Sequence, residues 1–116
     1  MRAIVCGGRD FGDREWLFSA LDEIGPTGVV HGAARGADSL AQAWARERGV
    51  PEVGYPADWR REGRAAGPRR NATMLKVEQP DAVIAFPGGR GTADMIRRAV
   101  EAGVPVYDLS SAGWRG

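Results

Sequence analysis

Short runs of β-branched and other apolar residues alternate along this chain with longer stretches in which apolar residues recur at helical spacing. Such alternation is typical of a parallel β-sheet covered by helices on both faces. We therefore predict an α/β fold, a three-layer domain with a central parallel sheet of about five strands. The predicted strands cover residues 2–6, 28–31, 51–55, 81–86 and 104–108.

Helices are predicted between these strands from apolar spacing and from end signals. The first follows Asp13, whose carboxylate can cap a first turn, and ends at Gly25. The second runs from Ala37 and ends at Gly49, just before a proline. A third helix covers residues 68–78. The long segment between the third strand and this helix, residues 56–67, is predicted to be an irregular loop.

The fourth helix is predicted over residues 93–102. Thr92 precedes it and can cap its first turn through the side-chain hydroxyl. Ile96, Ala99 and Val100 are expected to face the core.

Composition narrows the class of protein without identifying a partner. The chain has 116 residues and a formal net charge of +1, which suits one domain, residues 1–116, and does not indicate a nucleic-acid or membrane partner. A single cysteine and a single histidine cannot form a disulfide framework or a zinc site, so we expect no metal and no cofactor. We find no signal peptide and no run of about 20 apolar residues, and expect a cytoplasmic protein without a membrane partner.

Glycine-rich turns follow three of the predicted strands, at the edge where a parallel sheet collects its ligands. Helix N-termini at this edge present unpaired amides to anions, and glycine lets the backbone approach phosphate oxygens closely. Tight strand-to-helix packing is the alternative reason for each turn, but three turns at one edge favour one ligand site. The predicted site residues are Gly7, Gly8 and Arg9, then Gly32, Arg35, Gly36 and Asp38, and then Pro87, Gly88, Gly89, Arg90, Gly91 and Thr92.

Arginine side chains near these turns suit the same anion, because a guanidinium donates paired hydrogen bonds to phosphate. The candidates are Arg9, Arg35, Arg70 and Arg90. No Gly-Lys-Ser/Thr follows a glycine turn, which argues against a P-loop NTPase. The turn after the first strand also lacks the third glycine of a dinucleotide fingerprint, which argues against NAD.

Several motifs together carry a family resemblance that spans nearly the whole chain. They are the turn that starts at Pro87 and the segments His-Gly-Ala-Ala-Arg-Gly-Ala-Asp at 31–38, Tyr-Pro-Ala-Asp-Trp at 55–59 and Gly-Pro-Arg-Arg-Asn at 67–71. In this combination the chain resembles the SLOG superfamily of Rossmann-like domains, which includes the LOG phosphoribohydrolases and the DNA-processing DprA proteins. It is most similar to the small stand-alone YspA-type proteins. The resemblance implies a Rossmann-like fold, a nucleotide-related ligand and a homodimer.

The LOG hydrolase motifs are matched only in part. Pro-Gly-Gly-x-Gly-Thr-x-x-Glu matches from Pro87 to Thr92, but Met95 stands where the resemblance would place the catalytic glutamate. Met-His-x-Arg-Lys-x-x-Met is similar to residues 67–74, with Arg70 at the position of the catalytic arginine and Asn71 in place of lysine.

Cleavage of an N-glycosidic bond passes through a cationic, oxocarbenium-like state that needs a carboxylate. Asp94 and Asp38 are the remaining catalytic candidates, together with Arg70. Asp94 could instead complement the helix dipole, and Asp38 could bond to nearby backbone amides.

Three further residues have alternative interpretations. His31 could contact the ligand or form a structural hydrogen bond. Trp59, near a cluster of arginines, could stack a base or anchor the segment that carries it. Asn71 could read a base edge or cap the third helix.

Our leading hypothesis is a module that binds a nucleotide or nucleotide-derived ligand. One alternative is a LOG-like hydrolase of a nucleoside monophosphate. The other is a nucleic-acid-associated protein, suggested by the resemblance to DprA and by the arginines of residues 58–71.

Overall fold

The computed structural model describes residues 1–110 of the chain; residues 111–116, which the predicted domain includes, lie outside the described residues. The strands are β1 (Arg2–Cys6), β2 (Gly28–His31), β3 (Glu52–Gly54), β4 (Ala82–Ala85) and β5 (Val106–Asp108). The helices are α1 (Arg14–Ile24), α2 (Ala37–Arg48), α3 (Trp59–Glu62), α4 (Ala66–Glu78) and α5 (Arg90–Glu101), with a 3-10 turn at Gly63–Ala65. All strand pairs are parallel, so the predicted α/β fold is confirmed.

The sheet has the order β3-β2-β1-β4-β5. The chain builds outward from β1 to β3 and then returns to the other side of β1, which makes the β1–β4 boundary the topological switch point. Cys6 stands opposite Ala85 at the end of these two strands. Just beyond, the amide of Gly8 donates to the carbonyl of Pro87 over 2.8 Å. The loops after β1 and β4 are therefore tied together where a ligand crevice is expected.

Two hydrophobic clusters hold the three layers together. Successive residues of a strand face opposite sides of a sheet, so Ala3 and Val5 face one layer while Ile4 faces the other. The first layer consists of α1 and α2, with Leu17, Leu21, Ala41 and Trp44 in its cluster. The second consists of α4 and α5, with Met74, Met95 and Ala99 in its cluster. Both faces of the central strands are thus buried.

The ends of the first two helices follow the sequence signals. Asp13 accepts a hydrogen bond from the amide of Trp16 over 3.1 Å, which satisfies one of the first-turn donors of α1. Gly25 ends α1 and Gly49 ends α2, each with φ of 68°, a left-handed conformation that glycine adopts without a Cβ penalty.

The prediction of an irregular loop over residues 56–67 was wrong. Asp58 accepts from the amide of Arg61 over 3.2 Å and starts the short helix α3. The chain then continues through the 3-10 turn directly into α4, which begins two residues before its predicted start. Helices of one turn are too short to show a hydrophobic period, so the pattern did not indicate them.

The prediction for the start of the last helix was also wrong. The helix α5 begins at Arg90 with Gly89 as its N-cap, so Thr92 lies inside the first turn and does not cap it. The face of α5 that packs against the sheet also differs from the predicted one: Met95 and Ala99 are buried, one helical turn apart, while Val100 is 64% exposed. The predicted core position of Val100 is therefore corrected.

Candidate functional site

A cleft of about 440 Å³ lies over the carboxyl ends of β1 and β2, between the N-termini of α2, α4 and α5. Twelve of the predicted site residues line it. They are Gly7, Gly8 and Arg9 from the first turn, Gly32 and Asp38 from the second, Arg70 and Asn71 from α4, and Gly89, Arg90, Gly91, Thr92 and Asp94 from the last turn and α5. The three glycine turns thus meet at one place, as their position in the sequence predicted.

The other four predicted residues do not line the cleft: Arg35, Gly36, Pro87 and Gly88. Arg35 is exposed and forms an ion pair with Asp10 over 3.2 Å. Gly36 has φ of 80°, and a Cβ there would lie 2.2 Å from the carbonyl oxygen of Gly8. Pro87 accepts the hydrogen bond from Gly8. The structure therefore gives Gly36 and Pro87 a role in joining the turns.

Gly88 and Gly91 differ in why the position holds glycine. A Cβ on Gly88 would lie 2.2 Å from Thr92 Oγ1 and 2.7 Å from the amide nitrogen of Gly8, so close packing requires glycine. Apart from its chain neighbours and the backbone of its own helix, a Cβ on Gly91 would have no heavy atom of the described residues within 4 Å. Gly91 is helical, and glycine inside a helix costs roughly 0.5–1 kcal/mol relative to alanine. The fold therefore does not require glycine at position 91.

The N-terminus of α5 opens into the cleft. Its first amides have no carbonyl partner within the helix, and among residues 1–110 no side chain forms the cap hydrogen bond at Gly89. The amides of Arg90, Gly91 and Thr92 carry the positive end of the helix dipole. These donors can bind an anion that enters the cleft.

The charges in the cleft wall favour an anion as well. Arg9, Arg64, Arg70 and Arg90 line the cleft, against the carboxylates Asp38 and Asp94. The chain as a whole is nearly neutral, so the excess of positive charge is a local property of this wall.

Arg70 extends across the cleft floor to the ends of two strands. Its Nη1 donates to the carbonyl of Gly32 over 2.5 Å and to that of Tyr55 over 3.2 Å, and its Nε donates to Asn71 Oδ1 over 3.1 Å. Burial lowers the pKa of Arg70, and the charge of Asp38 opposes that shift. The guanidinium is thus held in one orientation before any ligand binds.

Asp38 is buried at the start of α2, with 7% of its surface exposed. Burial raises the pKa of its carboxyl, while the backbone amide of Ala34 and the charge of Arg70 oppose the rise. The Ala34 amide donates to Oδ2 over 3.3 Å. Bonding to a nearby amide, one of the roles considered for Asp38, is therefore present in the structure.

Asp94 is held by three donors. Its Oδ2 accepts from Arg98 Nε over 2.9 Å and from Asn71 Nδ2 over 3.0 Å, and its Oδ1 accepts from Arg97 over 2.8 Å. Burial alone would raise the pKa of this carboxyl, but the hydrogen bonds from Asn71 and the arginines outweigh it and lower the pKa. Asp94 is therefore an ionised, fully engaged carboxylate, and Met95 beside it lies in the core.

Asn71 and His31 have structural roles that the sequence left open. Asn71 lies within α4 and donates to the carbonyl of Gly91 over 3.1 Å, so it does not cap its own helix. His31 Nδ1 accepts from the amide of Ala33, and Nε2 lies 2.7 Å from Glu52 Oε1. His31 is 1% exposed and does not line the cleft, which supports its structural interpretation.

Some wall residues were not among the predicted site residues. Cys6 ends β1 at the cleft floor, and burial raises the pKa of its thiol, which keeps it neutral. Arg64, Gly67 and Met74 face the cleft because α3 and α4 fold over it. The sequence signals for this side of the cleft were the arginines around Arg64 and the motifs at 55–59 and 67–71.

The strand order and the glycine turns at the switch point define a Rossmann-like α/β domain. The sequence model of the family described as "YspA, cpYpsA-related SLOG family" (YAcAr) matches residues 1–61. The Gene 61 protein of Mycobacterium phage D29 is 42% identical over 121 aligned residues, which cover 93% of this chain and 95% of the phage protein. The chain belongs to the YspA, cpYpsA-related SLOG family, which confirms the resemblance found in its motifs.

Solved structures agree on the fold. The X-ray structure of TM1055 matches with a TM-score of 0.68 at 23% identity, covering 90% of this chain and 71% of that chain. DNA processing protein A (DprA) from Streptococcus pneumoniae matches with a TM-score of 0.74 at 19% identity, covering 98% of this chain. Our chain spans about half of the DprA chain, 54% of its length. Within residues 1–110, every helix is too short or too polar to cross a membrane.

Proposed function

We propose that the cleft binds a nucleotide or nucleotide-derived phosphorylated ligand, with a phosphate at the N-terminus of α5. The observation that carries the proposal is Gly91, a helical glycine in the cleft wall that neither its backbone angles nor its neighbours require. A side chain at this position would project into open space beside the free amides. Access of an anion to those amides explains why this position holds glycine, which has no side chain.

Charge and preorganisation support the same ligand. The N-terminus of α5 supplies backbone donors, and Arg70 and Arg90 add guanidinium groups in the same wall. Arg70 is already fixed by the carbonyls of Gly32 and Tyr55, so little side-chain entropy is lost when an anion binds beside it. The volume of the cleft lies near the lower end of the range for small-molecule sites, about 300–1,000 Å³, and suits one nucleotide unit better than a dinucleotide.

The test is calorimetry with nucleoside monophosphates, ADP-ribose, ribose phosphate and inorganic phosphate against the protein and Gly91→Val. Valine is not a worse helix former than glycine, so this variant should fold as stably as the parent. We expect its affinity for the phosphorylated compounds to fall about 10- to 150-fold, as expected for loss of hydrogen bonds to a charged group. Gly12→Val is the matched control, because Gly12 also has open space but lies outside the cleft wall. If the parent protein binds none of these compounds, the proposal is wrong.

Hydrolysis of the N-glycosidic bond of a nucleoside monophosphate is a second candidate, and the position of Asp38 favours it. Asp38 is a buried carboxylate in the cleft wall, and its charge interacts with that of Arg70. It could stabilise a developing positive charge on a ribose ring. Chromatographic release of free base by the parent protein, abolished in Asp38→Asn and retained in Asp94→Asn, is the expected result. Absence of free base with every nucleoside monophosphate would exclude this candidate.

Three expectations from the sequence remain predictions: a homodimer, a cytoplasmic location and a single domain over residues 1–116. Association with nucleic acid is the weaker alternative; it rests on the likeness to DprA and on the exposed arginines of α3, Arg60 and Arg61. That alternative requires binding to single-stranded DNA that weakens steeply with salt, because phosphate contacts release counterions.

A further inference from the structure

Trp59 leaves its indole half exposed at the cleft. It is the first residue of α3, lines the cleft wall, and has 47% of its surface accessible. One edge of the ring rests on α4: its Cη2 atom lies 3.1 Å from where a Cβ on Gly67 would stand. The bare backbone of Gly67 therefore lets the indole lie close against α4. The ring therefore contacts α4 along one edge, while about half of its surface remains accessible.

The open side of the indole carries a guanidinium. Arg9 Cζ lies 4.9 Å from the centroid of the Trp59 ring, a cation–π contact between the turn after β1 and α3. The backbone of Arg9 is packed tightly, because a Cβ on Gly36 would lie 2.6 Å from its carbonyl carbon and oxygen. Its long side chain is exposed. Arg9 can therefore move away from the ring while its backbone stays in place.

We infer that Trp59 and Arg9 form the base subsite of the cleft, in which a purine stacks on the indole and the Arg9 guanidinium covers its other face. This inference rests on the proposed function, since it names the class of nucleotide that the same cleft takes. A flat base between the two groups requires about 7 Å, twice an ordinary contact of 3.5 Å, so Arg9 must retreat by about 2 Å. A flexible arginine side chain allows that movement at small cost.

Two features of the cleft favour a purine nucleotide over other anions. An indole has two fused rings, and the two fused rings of a purine cover more of it than the single ring of a pyrimidine does. The indole of α3 and the amides of α5 line the same cleft, so one nucleotide can place its base at the ring and its phosphate at the amides.

The experiment compares adenosine and guanosine monophosphate with cytidine and uridine monophosphate and with ribose phosphate, by calorimetry. The parent protein is expected to prefer the purine nucleotides. Trp59→Leu should weaken their binding about 5- to 150-fold, the range found for loss of one base–aromatic stack, and leave the affinity for ribose phosphate unchanged. Trp59→Phe should retain most of the purine affinity. Tyr107→Leu, at an exposed aromatic residue outside the cleft wall, is the matched control and should bind as the parent does.

A second measurement does not depend on the stability of Trp59→Leu. Guanosine monophosphate should change the tryptophan emission of the parent protein but not that of Trp59→Phe, because Trp59 lines the cleft whereas Trp16 and Trp44 do not. Both proteins carry Trp114→Phe in this measurement, which removes the remaining tryptophan. If the parent binds ribose phosphate and purine nucleotides with equal affinity, the base subsite is wrong while the phosphate site stands. The same conclusion follows if Trp59→Leu lowers both affinities equally. Failure of the parent to bind any of these compounds overturns both proposals.

Discussion

Asn71 donates a hydrogen bond to Asp94 across the gap between α4 and α5, over 3.0 Å from Nδ2 to Oδ2. The same nitrogen donates to the carbonyl of Gly91, and the Asn71 oxygen accepts from Arg70. One buried amide thus connects the arginine of the cleft floor to the helix start that we propose as the phosphate site. Asn71 stands where the LOG motif has lysine, and its hydrogen bonds join three residues of the cleft wall.

Asn71→Leu keeps the side-chain volume and removes these hydrogen bonds. Asn71 is 4% exposed, so the carbonyl of Gly91 and the carboxylate of Asp94 each lose a buried donor. We expect the free energy of unfolding to fall by about 1–3 kcal/mol, measured by chemical denaturation. Thr73→Ala, which removes an exposed hydrogen bond from the same helix to Arg69, should change stability much less. Equal losses in the two variants would contradict the assigned role.

The turn before α5 offers a matched pair of glycines. Gly88→Ala would force a methyl group against Thr92 and the backbone of Gly8, and such overpacking typically costs about 1–3 kcal/mol. Gly91→Ala places the methyl group in open space and should raise stability by roughly 0.5–1 kcal/mol. Thermal unfolding of the two variants beside the parent measures both effects. A destabilised Gly91→Ala would show that position 91 is constrained by the fold after all.

The sequence left two interpretations of His31 open, a ligand contact and a structural hydrogen bond, and substitution can distinguish them. His31→Leu leaves the amide of Ala33 without its acceptor and removes the bond to Glu52, which should cost about 1–3 kcal/mol of stability. Since Nδ1 accepts from Ala33, Nε2 carries the proton and donates to Glu52. Glu52→Gln keeps an acceptor there and should cost less. Nucleotide affinity should stay unchanged in the folded fraction of both variants, and a selective loss of affinity in His31→Leu would argue for ligand contact.

Much of the fold was predictable because its signals are local. The strands β1 and β2 have the bounds that their apolar runs indicate, and Asp13, Gly25 and Gly49 mark helix ends through contacts within a few residues. The start of α5 was missed because threonine is a good cap in general, whereas here Gly89 precedes the helix and Thr92 packs inward. Which end signal is used depends on how the turn packs against its neighbours.

The candidate site was predictable as a location and less so as a set of contacts. Parallel topology alone brings the glycine turns together, so Gly7, Gly32 and Gly91 were found from their place after strands. The bond from Arg70 to Gly32 joins residues 38 apart in the chain, and no local pattern encodes it. The position of Trp59 over the cleft likewise depends on packing against Gly67.

The carboxylate of Asp22 ties α1 to α2 and predicts a specific acid sensitivity. It accepts from Arg48 Nε over 2.9 Å and from Trp44 Nε1 over 2.8 Å. The hydrogen bond from Arg48, followed by that from Trp44, lowers the pKa of Asp22 from 3.8 to about 2. A carboxyl group whose pKa is lower in the folded state stabilises the fold above pH 3.8, and this contribution is lost as the pH falls toward 2.

Asp22→Asn should therefore unfold at a lower temperature than the parent above pH 3.8, and the difference should shrink as the pH falls toward 2. Thermal unfolding followed by circular dichroism over this pH range measures the difference directly. Glu23→Gln, at the next position of α1 and outside the contact with Arg48 and Trp44, is the matched control and should lower the unfolding temperature above pH 3.8 much less than Asp22→Asn does. If the difference in unfolding temperature between the parent and Asp22→Asn stays constant from pH 3.8 down to 2, the lowered pKa is contradicted, because the stabilisation would then not depend on ionisation.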